Sequence, residues 1–202
     1  MHLEHGKANI TGHVKIFNPK TNEVFVDKMN SIHYENFSEA LALSISDKGS
    51  GFITEMDFGN GGTSVDPTGV ISYLPPNTVG QNAALYNQTY YKVVDNNSTL
   101  NVDPTRNNIQ VRHQVGAVFT DIFVTCLLDY GEPTGQEAFD NSANLDGNYV
   151  FDELGLRSWN GTLGAGKLLT HVIFAPVQKS LNRLIQIDYT VRVQSLTNLS
   201  SQ

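Results

Sequence analysis

Apolar and polar side chains alternate with a two-residue period through much of the C-terminal half of the chain. Ile185, Ile187, Tyr189, Val191 and Val193 point one way, and Gln186, Asp188, Thr190, Arg192 and Gln194 the other. Val118, Thr120, Ile122, Val124, Cys126 and Leu128 share one face of a second such run, with Asp121 and Thr125 on the other, and residues 109–115 alternate as cleanly. This rhythm belongs to antiparallel strands with one face buried and one wet. Tyr149–Leu156 and Leu168–Val177 read as two more strands.

The N-terminal part is mixed. Val14–Phe17 and Glu23–Asp27 flank an Asn18-Pro19 turn and predict a hairpin. Phe37, Ala40, Leu41 and Ser44 then fall at helical spacing, predicting one helix over about residues 32–46 that stops at Lys48-Gly49. Phe52–Phe58 predicts a strand that enters a glycine turn, Gly59-Asn60-Gly61-Gly62, and Val70–Leu74 a short strand before Pro75-Pro76. Residues 76–108 show no long periodic element. A structureless stretch of that length is uncommon in a compact domain, so it reads as an ordered excursion packing on a neighbour.

Taken together, the pattern predicts a mainly β fold: an antiparallel β-sandwich with one short N-terminal α-helix and long ordered loops. A single domain over residues 1–202 is expected, with a hairpin-helix segment at about 8–48 and the extended loop at about 75–108. A chain of 202 residues buries about 70% of its unfolded surface, which allows a core without staples. Its single cysteine, Cys126, lies in an apolar run and reads as a buried inert thiol.

Charged residues make up only 16% of the chain, against about 25% in ordinary soluble domains. Asn, Thr, Ser, Gln and Gly take their place, giving a polar but weakly repulsive surface suited to packing against other proteins. The formal net charge is −7 and the basic residues are scattered singly, so neither nucleic acid nor membrane is expected as a partner. The N-terminus has no apolar leader, which predicts synthesis in a reducing cytoplasm.

Candidate chemistry is sparse. The glycine turn at 59–62 has no lysine, histidine or cysteine beside it. Gly161–Lys167 resembles a phosphate-binding loop, but Leu168 stands where Ser or Thr would hold magnesium, and a strand follows where a helix is required. The six histidines form no ligand pair at helical or strand spacing, and no nucleophile elbow exists. Asp95, Asn97, Thr99, Asn101 and Asp103 alternate as oxygen donors, with a second donor cluster at 140–148, but Asx turns are the commoner use of such runs. No enzyme activity, cofactor or metal is therefore expected.

Three local sequences resemble virion structural proteins of tailed bacteriophages. The first is Lys28–Asn36 running into the helix and then Ile53–Gly62. The second is Asp129–Pro133 with Asn148–Leu156, containing Phe151-Asp152-Glu153-Leu154-Gly155-Leu156. The third is Lys167–Phe174 with Leu184–Val191. The resemblance implies a β-rich subunit repeated at the neck, collar or tail, its partners being itself as a homo-oligomer and other virion proteins, and its location the virion after synthesis in the host bacterial cytoplasm. Tyr73, Leu74, Pro75, Pro76, Tyr86, Tyr90 and Tyr91 are the expected interface residues, since loop aromatics and prolines make good anchors. The alternatives are a baseplate or capsid decoration protein, or a carbohydrate- or receptor-binding module that uses Trp159 and the same tyrosines as stacking platforms.

Overall fold

The computed structural model describes residues 7–139 and 148–196. Among them run eleven strands and one helix: β1 (Lys7–Phe17), β2 (Val24–Ile32), α1 (Tyr34–Ile45), β3 (Ile53–Gly59), β4 (Thr63–Val65), β5 (Ile71–Tyr73), β6 (Gln88–Val93), β7 (Asn108–His113), β8 (Phe119–Leu128), β9 (Tyr149–Ser158), β10 (Thr170–Lys179) and β11 (Ile185–Leu196). The fold is mainly β and antiparallel with one short helix near the N-terminus. The second donor cluster, at 140–148, lies almost entirely outside the described residues.

The strands do not divide into the two sheets of the expected sandwich. Nine of them form one sheet in the order β6-β3-β9-β10-β2-β1-β11-β8-β7, strongly curled into a half-barrel, and β4 and β5 make a separate hairpin. The cause of the continuity is β10. Its first two residues, Thr170 and His171, pair with Ile32 and Ser31 of β2, and from Val172 onward it pairs with β9. One strand thus hands over from one limb of the sheet to the other. A register shift between Ile173 and Val177 contains Pro176, a residue that cannot donate to a ladder and settles at bulges.

The curl encloses one core. Val14, Ile16, Val124, Cys126, Ile185, Ile187, Tyr189 and Val191 come from one limb, and Met56, Phe58, Phe151, Leu154, Leu156 and Phe174 from the other. The alternation read along β8 and β11 supplies all of the first set except Val14 and Ile16, which come from β1. Cys126 is fully buried, and desolvation pushes its thiol up to about 12. The ends of the sheet approach each other at one side: Lys92 Nζ, from β6, donates to the Leu127 carbonyl of β8 at 2.6 Å, and Leu127 N–H donates to Asn107 Oδ1 at 2.9 Å.

Helix α1 starts at His33, whose Nδ1 accepts the Asn36 N–H, and buries Asn36, Phe37 and Ala40. The excursion expected at 75–108 is not wholly irregular, for it contains β6. Asn87-Gln88-Thr89-Tyr90-Tyr91-Lys92 carries no apolar alternation, so this strand was invisible to periodicity. It forms because β3 offers a full set of partners, Glu55 to Gly59.

Candidate interaction surface and the buried hub behind it

The glycine turn and the Asp152-Glu153 pair, quoted separately above, are in contact. Gly59 on β3 lies opposite Glu153 on β9, so the turn leaves the sheet directly over the two carboxylates. Gly61 N–H donates to Glu153 Oε1 at 3.2 Å and Gly62 N–H to Asp152 Oδ1 at 3.0 Å. Thr63 N–H reaches Asp152 Oδ2 at 2.8 Å, and the Thr63 hydroxyl bonds the same oxygen. Three successive backbone donors therefore bind the chain's own carboxylates. This explains a turn that looks built for an anion but lacks every residue of a phosphate site.

Glu153 gathers more than this turn. Its Oε1 also accepts Asn87 N–H at 2.8 Å, and its Oε2 accepts Tyr86 N–H at 2.9 Å and His171 Nε2–H at 2.9 Å. The side chain is fully buried. Burial alone would raise its pKa, but the His171 N–H and the Asn87 and Tyr86 amides outweigh that and hold the carboxyl below its ordinary value. Asp152 goes the other way, raised by burial against the donors of Gly62 and Thr63.

On the same polar face of β3 and β9, Glu55 is also buried and pushed up to about 7 by desolvation, its oxygens accepting the Gly164 N–H at 3.0 Å. Asp57 is raised by burial, opposed by Arg157, whose Nε donates to it at 2.6 Å. Arg157 also donates to the Gly166 carbonyl and to Gln88. The glycine-rich stretch 161–167 is thus a cover clasped to Glu55 and Arg157.

The segment 74–87 is strapped across the sheet by these groups. Leu74 N–H donates to the Gly62 carbonyl, and Asn77 N–H donates to His171 Nδ1 at 2.8 Å. His33 Nε2 donates to the Gly80 carbonyl at 2.9 Å, Lys167 Nζ to that of Gln81, and the Tyr86 hydroxyl to that of Pro75. The excursion is ordered, but it packs on its own β9, β10 and the start of α1.

The strap sets out an apolar surface. Tyr73, Leu74, Pro75 and Tyr86 are exposed and Pro76 and Tyr91 half-buried, whereas Tyr90 is in the core, its ring 6.0 Å from Phe58 and 6.3 Å from Tyr149. Tyr90 therefore cannot serve as the surface anchor expected of it: it alternates inward on β6 instead of sitting in a loop. Met29, Tyr34 and Val79 belong with the patch, since Met29 shares one hollow with Tyr73 and Leu74 and another with Tyr34 and Val79. Met29 stands beside the predicted strand Glu23–Asp27 and Tyr34 within the predicted helix, where they pass for core, and Val79 lies in the stretch without periodicity, so the sequence alone did not mark them.

Trp159 is half-buried and continues β9 past Ser158, exchanging backbone bonds with Phe52 and Gly51. Glu153, which binds Tyr86, lies six residues back along an extended strand, about 20 Å away. Trp159 and Tyr86 therefore do not share one stacking platform. Among Asp95–Asp103, Asp95 accepts Asn97 N–H, Asn101 accepts Asp103 N–H, and Asp103 accepts the Thr105 hydroxyl and pairs with Arg106. Those donor atoms are engaged in turns. Comparison with protein-family models, curated proteins and solved structures finds no match to this chain.

Proposed function

We propose that this chain is a structural subunit of a tailed-phage virion, repeated at the neck, collar or tail and assembling through protein–protein contacts with copies of itself and with other virion proteins. The phage element of this reading comes from the sequence resemblance. The assembly element is supported by one observation above all: an apolar surface in which Leu74, Pro75 and Val79, carried on a strap anchored to buried side chains, lie with Met29 of β2, Tyr34 of α1 and Tyr73 of β5. Loops are ordinarily mobile and polar. An apolar loop fixed in advance loses little conformational freedom on docking, which favours association, and aromatics in such a setting are the usual anchors of interfaces. Its role is a docking surface rather than an active site, and it takes no cofactor.

The test is co-assembly. Tagged chain expressed with the other structural proteins of its phage should enter particles, and Leu74→Asp should be excluded while keeping the wild-type melting temperature. Normal incorporation of that variant into particles would count against the surface, and failure of the wild type to enter any particle would remove the reading.

A further inference from the structure

The two ends of the nine-stranded sheet are treated differently. At the β6 end, the Gln136 side chain stands in for a neighbouring strand: it accepts Tyr91 N–H at 2.9 Å and donates to the Tyr91 carbonyl at 3.1 Å, and Glu137 N–H reaches the Thr89 carbonyl at 3.1 Å. At the β7 end the described residues give no such cover beyond one bond, Ile109 N–H to Asn96 Oδ1 at 3.0 Å. Asn96 is not part of β8, so Ile109 turns its backbone outward, and by alternation so do Val111 and His113. Among the described residues no other hydrogen bond reaches those outward groups. The strand has no proline, no lysine and no bulge against β8, the devices that natural edges use to prevent pairing. Val111 is 71% exposed. It forms the rim of an apolar cleft of about 520 Å³ lined by Ile109, Ile122, Leu41 and Phe52.

We infer that β7 adds edge to edge to β7 of a second copy of this chain, antiparallel about a two-fold axis at Val111. The register follows from the outward groups and from charge, since an axis at Val111 pairs Ile109, Val111 and His113 of each copy. With the axis at Val111, Ile109 of one copy faces His113 of the other and Gln110 faces Arg112. These last two are already compatible, since Arg112 donates to Gln110 within the chain at 3.1 Å. An axis at Arg112 would set two guanidiniums directly opposite, which is unfavourable. Val111 of each copy exchanges both backbone hydrogen bonds with the other, and Ile109 N–H exchanges Asn96 for the His113 carbonyl. The two apolar clefts then run side by side, and the most exposed part of each rim is covered. This rests on the reading of the chain as a self-assembling subunit and names one surface through which copies meet.

The experiment is a concentration series in analytical ultracentrifugation on the wild type, Val111→Pro, Val111→Lys and Leu74→Asp. Proline at 111 removes only an outward N–H, so the fold is retained, and circular dichroism checks that. A wild-type dimer that Val111→Pro weakens by about a hundredfold, the worth of the two symmetric hydrogen bonds, and that Val111→Lys also weakens by setting two ammoniums opposite each other, supports the pairing. A dimer untouched by Val111→Pro but dissociated by Leu74→Asp overturns the β7 pairing and leaves the strap surface as the route of assembly. A wild type that stays monomeric throughout overturns the β7 pairing as well, while co-assembly into particles still judges the proposed function separately.

Discussion

His171 donates its Nε2 proton to Glu153 Oε2 at 2.9 Å, and the direction of that bond is fixed from the far side of the ring. Nδ1 accepts the Asn77 N–H at 2.8 Å, so it carries no proton of its own. One imidazole therefore joins β9, β10 and the strap, and the carboxylate it meets joins the strap to the glycine turn. His33 repeats the arrangement at the start of α1, with Nδ1 accepting Asn36 N–H and Nε2 donating to the Gly80 carbonyl. Both rings are buried, and neither can be replaced by a group that only donates or only accepts.

Replacing Glu153 by Gln should accordingly be severe. The amide keeps one acceptor oxygen but presents an NH₂ in place of the other, leaving either Gly61 and Asn87 or Tyr86 and His171 facing a donor. A loss of about 3–5 kcal/mol is expected, the usual cost of breaking a buried charge-assisted group on one side, measured by urea denaturation. Limited proteolysis should show cleavage within 78–84 before global unfolding, because the strap loses its anchor first. Equal protection of this segment in the variant would disconnect Glu153 from the strap.

Glu153 and Glu55 are buried carboxylates shifted in opposite directions, and each makes stability depend on pH. Glu153 is held below its ordinary value of 4.5, so its contribution is complete above that pH and is lost as the pH falls through the lowered native value. Glu55 is raised from 4.5 to about 7, so the native state binds a proton that the unfolded chain releases. Stability from this group is greatest below pH 4.5 and declines as the pH climbs to about 7. Glu55→Gln keeps an oxygen for the Gly164 N–H and cannot ionise. It should leave stability near pH 4.5 little changed and raise it by about 1–3 kcal/mol above pH 7, seen as a gap between the two stability–pH curves that opens across this window.

How much of this was legible beforehand depends on which residues carried it. Ile185 to Val193 announced a half-buried strand because one face meets water. β3 and β9 were also read as strands, from Phe52–Phe58 and Tyr149–Leu156, but the burial of both their faces was not, because Glu55, Asp57, Glu153 and Arg157 occupy a face that is polar yet covered by the strap and the 161–167 loop. A polar face reads as a wet one when only the chain is in view. The glycine turn and the Asp152-Glu153 pair were each noticed, but 90 residues separate Gly62 from Asp152, and nothing local says that one answers the other. Two-sheet packing was expected for a related reason: the strands of both limbs were visible, while the two-residue pairing of Thr170 and His171 with β2, which makes them one sheet, carries no pattern.

Gly59 should be the least replaceable glycine of the turn. A Cβ there would press into the Asn87 carbonyl oxygen and Glu153 Oε1, and neither can withdraw without giving up the strap. Gly59→Ala should cost about 2–4 kcal/mol. At Gly69 a Cβ meets nothing within 4 Å, though φ is +86°, so Gly69→Ala should cost only about 1 kcal/mol of backbone strain. Thermal melts of the two variants would rank them, and a reversed order would remove the turn–carboxylate contact as the reason for glycine.

Gln136 gives a test of the sheet's covered edge. Its side chain is the only group described that meets both the N–H and the carbonyl of Tyr91, doing with one amide what a neighbouring strand does with its backbone. Gln136→Ala removes both bonds and exposes a stretch of β6 as a template for another chain. The stability cost should be modest, about 1–2 kcal/mol, because water replaces the lost partners at a surface position. The larger effect should be on solubility, with faster aggregation below the melting temperature, followed by light scattering. Gln136→Glu separates the two bonds: a carboxylate still accepts the Tyr91 N–H but repels the carbonyl, so it should fall between the alanine variant and the wild type. If alanine aggregates no faster than the wild type, the amide is an incidental contact, and the contrast between a guarded β6 and an open β7 loses its basis.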